Sequence, residues 1–323
     1  MKTSKNTKRV LHVLLIVVLV FVMISMAVTM IFYQTAFPRS DVLSDFSLSY
    51  SDIDASLYPC RQINFSSGSN TLSGYCYTCP QPSALVVTAA GFRDSGASYL
   101  PEMTYMVDNG FDVFCYDATG VGESEGVSAV GLSQPSLDLR AALSYIANDP
   151  ELCELPILLY GYSAGGYAAA RCAGCDNVKA AVIISGFESP TQLMRETARS
   201  YVGIFADIEY PFMNLGNALT FGTDADNSAS ASIAEAKIPI AVYEGADDER
   251  VPASCRLSAY LDASDDNLTL TVSDIPGHSG HSDLWLSESA VAARESSSAD
   301  PFAANEPDPV FIRSVIRFLK AAL

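Results

Sequence analysis

The sequence predicts an α/β domain, built on a mostly parallel sheet with helices on both faces, standing behind an apolar amino-terminal segment. Three observations carry this. Short apolar runs at residues 84–90, 111–116, 156–160, 179–185, 238–243 and 268–272 are rich in Val, Ile, Leu or aromatics and bounded by Gly, Pro, Asn or Asp, as strands buried on both faces are. Helical stretches near residues 98–109, 133–148, 164–174 and 251–262 separate most of them, and a last helix is expected at 308–322. Strands alternating with helices imply parallel pairing, because each crossover returns the chain to the same edge.

The apolar segment comes first. Residues 10–33 contain no charged side chain, interrupted only by His12, Ser25 and Thr29. About 20 apolar residues cross the hydrocarbon core, whereas the apolar part of a cleavable signal is usually about 7–15 residues long and ends at small residues. The reading is therefore residues 1–9 as a cytoplasmic basic tail, 10–33 as a transmembrane signal anchor, 34–57 as a polar connector and 58–323 as the domain. Lys2, Lys5, Lys8 and Arg9 precede the span and none follows it closely, which places the amino terminus inside and the domain on the extracytoplasmic side of a single-pass membrane protein. An anchor contributes no reacting group, so residues 1–37 are expected to be removable without loss of activity.

The net charge is −18, and setting the four amino-terminal positives aside leaves −22. Such a surface repels nucleic acid and anionic lipid, so no nucleic-acid partner is expected. About 270 residues fit one α/β domain. Ahead of the apolar runs, alternating segments at 61–66 and 71–78 read as a hairpin around Ser67-Gly68-Ser69-Asn70. Between the sixth and seventh strands, counting the hairpin as two, residues 188–236 break the rhythm. Residues 191–202 read as a helix and 205–221 are aromatic-rich, which suggests a lid over a pocket, since aromatics on a long excursion need something to bury against.

Eight cysteines stand at 60, 76, 79, 115, 153, 172, 175 and 255. In an exported domain an even count reads as disulfides of undetermined connectivity. Cys76-x-x-Cys79 and Cys172-x-x-Cys175 also have metal-ligand spacing, but one lies in a strand and the other late in a helix, so no metal and no cofactor is expected.

The chemistry centres on Gly161-Tyr162-Ser163-Ala164-Gly165, which follows the apolar run at 156–160 and precedes Gly166-Tyr167-Ala168-Ala169-Ala170. A serine between two glycines at a strand-turn-helix junction reads as a nucleophile elbow, where crowding demands small residues and the turn exposes the hydroxyl. A second motif, Asp117-Ala118-Thr119-Gly120-Val121-Gly122-Glu123-Ser124-Glu125-Gly126, invites comparison with a dinucleotide fingerprint, yet Gly120-x-Gly122-x-x-Glu125 lacks the third glycine.

With Ser163, this loop, Gly245-Ala246-Asp247-Asp248-Glu249-Arg250-Val251-Pro252 and Ile275-Pro276-Gly277-His278-Ser279-Gly280-His281-Ser282-Asp283, the chain over roughly 58–322 resembles the α/β-hydrolase superfamily, in its serine aminopeptidase-like and lysophospholipase-like branch. The resemblance implies the order serine, acid, histidine. The family's G-x-x-D-x-x-V-P selects Asp248, with Asp247 as the other candidate. Its G-H-x-D selects His281, with His278 as the other. It implies an oxyanion hole from the backbone N–H groups of Ala164 and Phe92, although Ala90-Gly91-Phe92 stands where the family usually has His-Gly. The implied function is a membrane-anchored serine hydrolase cleaving carboxylic esters, with thioesters and lipid acyl chains open, through an acyl-enzyme on Ser163. Its partners would be a small-molecule or lipid acyl substrate and the membrane. A serine aminopeptidase-like peptidase and a catalytically silent binding protein are the alternatives.

Overall fold

The computed structural model describes residues 5–41, 46–225, 227–296 and 300–323. Its centre is an eight-stranded sheet in the order β1-β2-β4-β3-β5-β6-β7-β8, with β1 (Cys60–Ser67), β2 (Asn70–Tyr77), β3 (Leu85–Ala89), β4 (Asp112–Tyr116), β5 (Ile157–Tyr162), β6 (Val178–Ile184), β7 (Ile240–Gly245) and β8 (Leu268–Ser273). β1 and β2 pair antiparallel and β2 meets β4 antiparallel, while every pair from β4 across to β8 is parallel. The hairpin turn is tighter than the sequence suggests. Ser67 pairs with Asn70, which leaves only Gly68 and Ser69 to make the reversal. β3, β4 and β5 are buried along their whole length, as continuous apolar runs require, whereas the edge strand β8 has no buried residue and leaves Thr269, Thr271 and Val272 exposed.

Helices cover both faces, each over its own apolar core. α3 (Gln134–Ile146) and α4 (Ala164–Cys172) pack with Leu139, Ile146, Tyr167 and Leu159 on one side. α2 (Leu100–Asp108) and α10 (Pro309–Ala321) pack with Met103, Met106, Leu158 and Val315 on the other. Between β6 and β7 the chain makes a helical insertion of α5 (Pro190–Val202), α6 (Phe205–Phe221) and α7 (Ala229–Ala236). Ser189 starts α5 by accepting the Gln192 N–H, with Pro190 in the first turn.

Two expectations fail locally. Residues 251–262 do not form a helix: they make two 3-10 turns, Ala253–Cys255 and Leu257–Ala259. Arg256 between them is extended, and its guanidinium binds the carbonyls of Val251, Ala246 and Asp248, so side-chain bonds replace the helical ladder. α8 (Glu288–Arg294) and the four-residue α9 (Pro301–Ala304) are too short for periodicity to reveal.

The eight cysteines are free thiols, which corrects the disulfide expectation. Tyr75 pairs with Cys115, and Cys76 with Phe114. The two thiols therefore point to opposite faces of the sheet, Cys76 into one core and Cys115 into the other. Cys172 and Cys175 share a hydrogen bond that holds the Cys175 thiol below its ordinary value and pushes Cys172 up.

α1 (Lys5–Ala36) is one long helix, and an 18-residue window within its stretch Asn6–Ala36 has a mean hydropathy of 3.0, enough by length and composition to cross a membrane. Its carboxyl-terminal end is not free of the domain. Ser25 and Thr29 are buried, Tyr33 Oη donates to Asn217 Oδ1 at 3.1 Å, and Phe37 is 3% exposed with its ring 5.4 Å from that of Phe92. The segment read as a connector is also docked where described: Arg39 donates to the carbonyls of Gly122, Ser124 and Gly126, and Tyr50 stacks on Tyr75. Part of that segment, residues 42–45, lies outside the described residues. Residues 25–37, the carboxyl-terminal part of the segment read as removable, therefore pack against the domain. Burial of Phe37 alone is worth about 2 kcal/mol, or roughly 5 °C in a domain of this size. A chain beginning at residue 38 should melt at least that much below one beginning at residue 22, with both measured in the same detergent, and equal melting temperatures would contradict the docking.

Candidate active site

Ser163 stands between the end of β5 and the start of α4 with φ 53° and ψ −113°, a conformation that side-chain-bearing residues rarely adopt. The strain is held by tight packing. A Cβ on Gly161 would lie 2.2 Å from the Gly165 carbonyl oxygen, and one on Gly165 only 1.9 Å from that of Ala89. Any other residue at either position would push α4 off the sheet. The Ser163 N–H is tied to the Ile184 carbonyl of β6 at 2.8 Å, and the side chain remains half-buried at the carboxyl edge of the sheet.

Two loops at the same edge bring the partners. His281 Nε2 is 3.0 Å from Ser163 Oγ, and its Nδ1 is 2.7 Å from Asp248 Oδ2. The imidazole is 3% exposed. The other oxygen of Asp248 accepts the N–H groups of Arg250 and Val251 at 2.8 and 2.7 Å, so the carboxylate is held from both ends. The other candidates are placed elsewhere. Asp247 turns to Ser279 Oγ at 2.8 Å. His278 has its Nδ1 3.3 Å from the Asp283 carbonyl and lines a separate depression with Pro276 and Glu288. Asp283, the last residue of the G-H-x-D pattern, accepts the Gly280 N–H and shapes the turn before His281. A histidine bonded to a carboxylate on one nitrogen and a hydroxyl on the other can take the hydroxyl proton, with the carboxylate fixing its tautomer.

Ala164 is the first residue of α4, so its N–H has no carbonyl within the helix to meet. The Phe92 N–H, in the loop after β3, makes no hydrogen bond among the described residues. Both donors flank Ser163 along the same cavity wall. Three residues that sequence reasoning did not single out hold these loops. Asp117, noticed only as the first residue of a glycine-rich motif, accepts from Ser95 Oγ, the Gly96 N–H and Tyr50 Oη through one oxygen and from the Glu123 N–H through the other. It thereby ties the loop after β3 to the loop after β4. Arg256 braces the Asp248 turn, and Arg294 donates to the carbonyls of Ser282 and Ala304 and to Asn305 Oδ1. Neither arginine lies in a motif, so no local pattern could have marked it.

The cavity above Ser163 holds about 880 Å³. Its lining includes the apolar Phe32, Phe37, Phe92, Leu132, Phe187 and Met194 and the polar or charged Asp94, Tyr99, Glu102 and Arg294. From the insertion, Leu193, Met194, Thr197 and Tyr201 of α5 line it. Among the described residues no group of three or more His, Cys, Asp or Glu side chains is placed to hold a metal ion.

The family model for serine aminopeptidase (S33) matches residues 80–214, a stretch that includes Ser163. No curated protein matches the sequence. Among solved structures, an esterase of Pyrococcus furiosus is similar with a TM-score of 0.60 at 17% identity, covering 88% of this chain and 97% of that one. An alpha-beta hydrolase from Vibrio vulnificus is similar with a TM-score of 0.57 at 15% identity, covering 88% and 89%. An acylaminoacyl peptidase of Pyrococcus horikoshii is similar with a TM-score of 0.54 at 16% identity, covering 81% of this chain and 41% of that one.

Glu102 gives the cavity a pH signature. Burial raises its carboxyl from 4.5 to about 8, only partly offset by the Trp285 side chain and the Arg294 charge. Between those values the unfolded chain has lost this proton while the folded chain keeps it, so stability falls as pH rises through the window. Glu102→Gln removes the penalty. Its melting temperature should exceed the parent's by a margin that is absent below pH 4.5, grows toward pH 8 and then levels off; a margin independent of pH would contradict the buried, protonated state.

Proposed function

Because this chain belongs to the α/β-hydrolase superfamily, we propose that it is a serine hydrolase that cleaves carboxylic esters and is anchored in a membrane by α1. The observation that carries the reading is the chain Ser163–His281–Asp248, joined at 3.0 and 2.7 Å beneath a cavity of acyl-chain size. In the proposed reaction Ser163 Oγ attacks the ester carbonyl while His281 Nε2 takes its proton. The oxyanion accepts the N–H groups of Ala164 and Phe92. The carbon–oxygen bond to the alcohol breaks, and the alcohol leaves with the proton from His281. Water then repeats the sequence on the acyl-enzyme, releasing the acid and returning the proton to Ser163. Asp248 stays ionised and steadies the imidazolium. The four basic residues ahead of the span support an amino terminus inside and the hydrolase domain outside the cytoplasm, with α5 and α6 as the lid.

A peptidase reading is favoured by one observation, the serine aminopeptidase family model across Ser163; parallel libraries of acyl esters and aminoacyl amides separate the two. Ser163→Ala should abolish both turnover and labelling by a fluorophosphonate probe while leaving the melting curve unchanged. A chain that folds but never labels would instead support the silent binding protein. His281→Ala should lower kcat by ~10³–10⁶ with little change in KM, the scale on which a member of such a unit is lost. His278→Ala should leave kcat close to the parent's, because its ring faces away from the cavity, and a larger loss there than at His281 would reverse the assignment of the base.

A further inference from the structure

The insertion carries an apolar surface that the hydrolase chemistry does not use. On α6, Ile204 at its amino-terminal cap, Ile208, Leu215 and Leu219 are exposed, and at 100° per residue these positions fall in one stripe roughly 60° wide. Phe205 and Val202 add to it from the α5–α6 corner. Isolated exposed apolar side chains need no explanation, but a continuous stripe does.

The stripe lies beside α1. Phe21 meets Phe212 edge-on at 5.8 Å, Ser25 Oγ donates to Glu209 Oε1 at 3.0 Å, and a Cβ on Gly216 would come within 2.9 Å of Thr29 Cγ2. α6 thus runs along the carboxyl-terminal part of a helix whose remaining residues, 6–24, are exposed all round. Their charge-free part, residues 10–24, measures about 22 Å, short of the roughly 30 Å of a hydrocarbon core. A bilayer that covers the charge-free span therefore extends to the α1–α6 contact, and the stripe beside it faces lipid. The cavity opens on the same side. Tyr201, at the end of α5, lines the cavity and is 83% exposed, and Phe32, Ala36 and Phe37 of the α1 end form part of the apolar wall.

Resting on the hydrolase reading, we propose that α5, α6 and the outer end of α1 form one surface seated in the bilayer leaflet nearest the domain, and that the substrate is a lipid ester drawn sideways from that leaflet. Its acyl chain lies along Phe32, Phe37 and Phe92, and its carbonyl reaches Ser163.

The test uses the full chain reconstituted in phosphatidylcholine vesicles. Ile208→Trp should show tryptophan fluorescence quenched by brominated phosphatidylcholine well beyond the parent, whose only tryptophan, Trp285, is buried; no added quenching overturns the seating whether or not the protein is an enzyme. Activity is read on dioleoylglycerol in the same vesicles and on p-nitrophenyl butyrate in water. The pair Ile204→Asp and Leu219→Asp, remote from the reacting groups, should keep butyrate turnover while losing about tenfold or more on dioleoylglycerol, as charges weaken contact with acyl chains. Equal retention on both overturns the lateral route, and a parent that cleaves butyrate but not dioleoylglycerol overturns the lipid substrate. A parent inactive on both removes the hydrolase reading instead, and with it the substrate, while the quenching result still decides the seating.

Discussion

The close approach of α4 to the sheet is the constraint from which the rest of the site follows. Gly161 and Gly165 let the helix start almost in contact with β3 and β5, and the turn between them forces Ser163 to a positive φ. One consequence is that the hydroxyl stands clear of the core at the carboxyl edge of the sheet. Another is that the Ala164 N–H, orphaned at the helix start, points into the same space. The strain of the turn is carried by the sheet centre, where β5 is buried along its length and bonded on both sides. A strained residue persists only where its surroundings over-determine it.

What approaches Ser163 is carried on loops, and loops need bracing if a hydrogen-bonded chain is to be ready before a substrate arrives. The bracing here is done by one buried and two half-buried side chains that bond backbone carbonyls and N–H groups. Arg256 holds the turn after β7 through three carbonyls, Arg294 holds the segment after His281, and Asp117 joins the loops after β3 and β4. Each is multidentate, so each fixes direction as well as distance. The Asp248–His281 pair then needs no further partner to keep the imidazole aligned with Ser163.

α1 has two halves with different physics. Residues 10–24 carry no charge and are exposed, with Phe21 against Phe212 as their contact with α6, as suits hydrocarbon. Beyond them the helix becomes part of the fold: Ser25, Thr29, Tyr33 and Phe37 pack on α6 and on the loops beneath it. A wall of the cavity is thereby made from the segment that also reads as an anchor. In the proposed reading this couples the position of the bilayer to the shape of the pocket, because neither α6 nor Phe92 can shift far without moving the end of α1.

The sequence by itself determined the alternation of strands and helices and the strand-turn-helix setting of Ser163, because each is written in short-range signals: apolar runs of strand length, and glycines two positions either side of a serine. The family patterns it resembles select Asp248 over Asp247 and His281 over His278, but the residues by themselves leave each pair open, since neighbours in a loop differ only in which way the loop turns. Tertiary structure places them apart, joining His281 to Asp248 and Ser163 while Asp247 turns to Ser279 and His278 to the Asp283 carbonyl. It also decided what composition misread. The even cysteine count suggested bridges, yet Cys76 and Cys115 fall on opposite faces of the sheet, and the span that looked detachable is docked at its carboxyl-terminal end. Burial, facing and contact between residues more than a hundred positions apart are properties of the packed chain, and no local pattern encodes them.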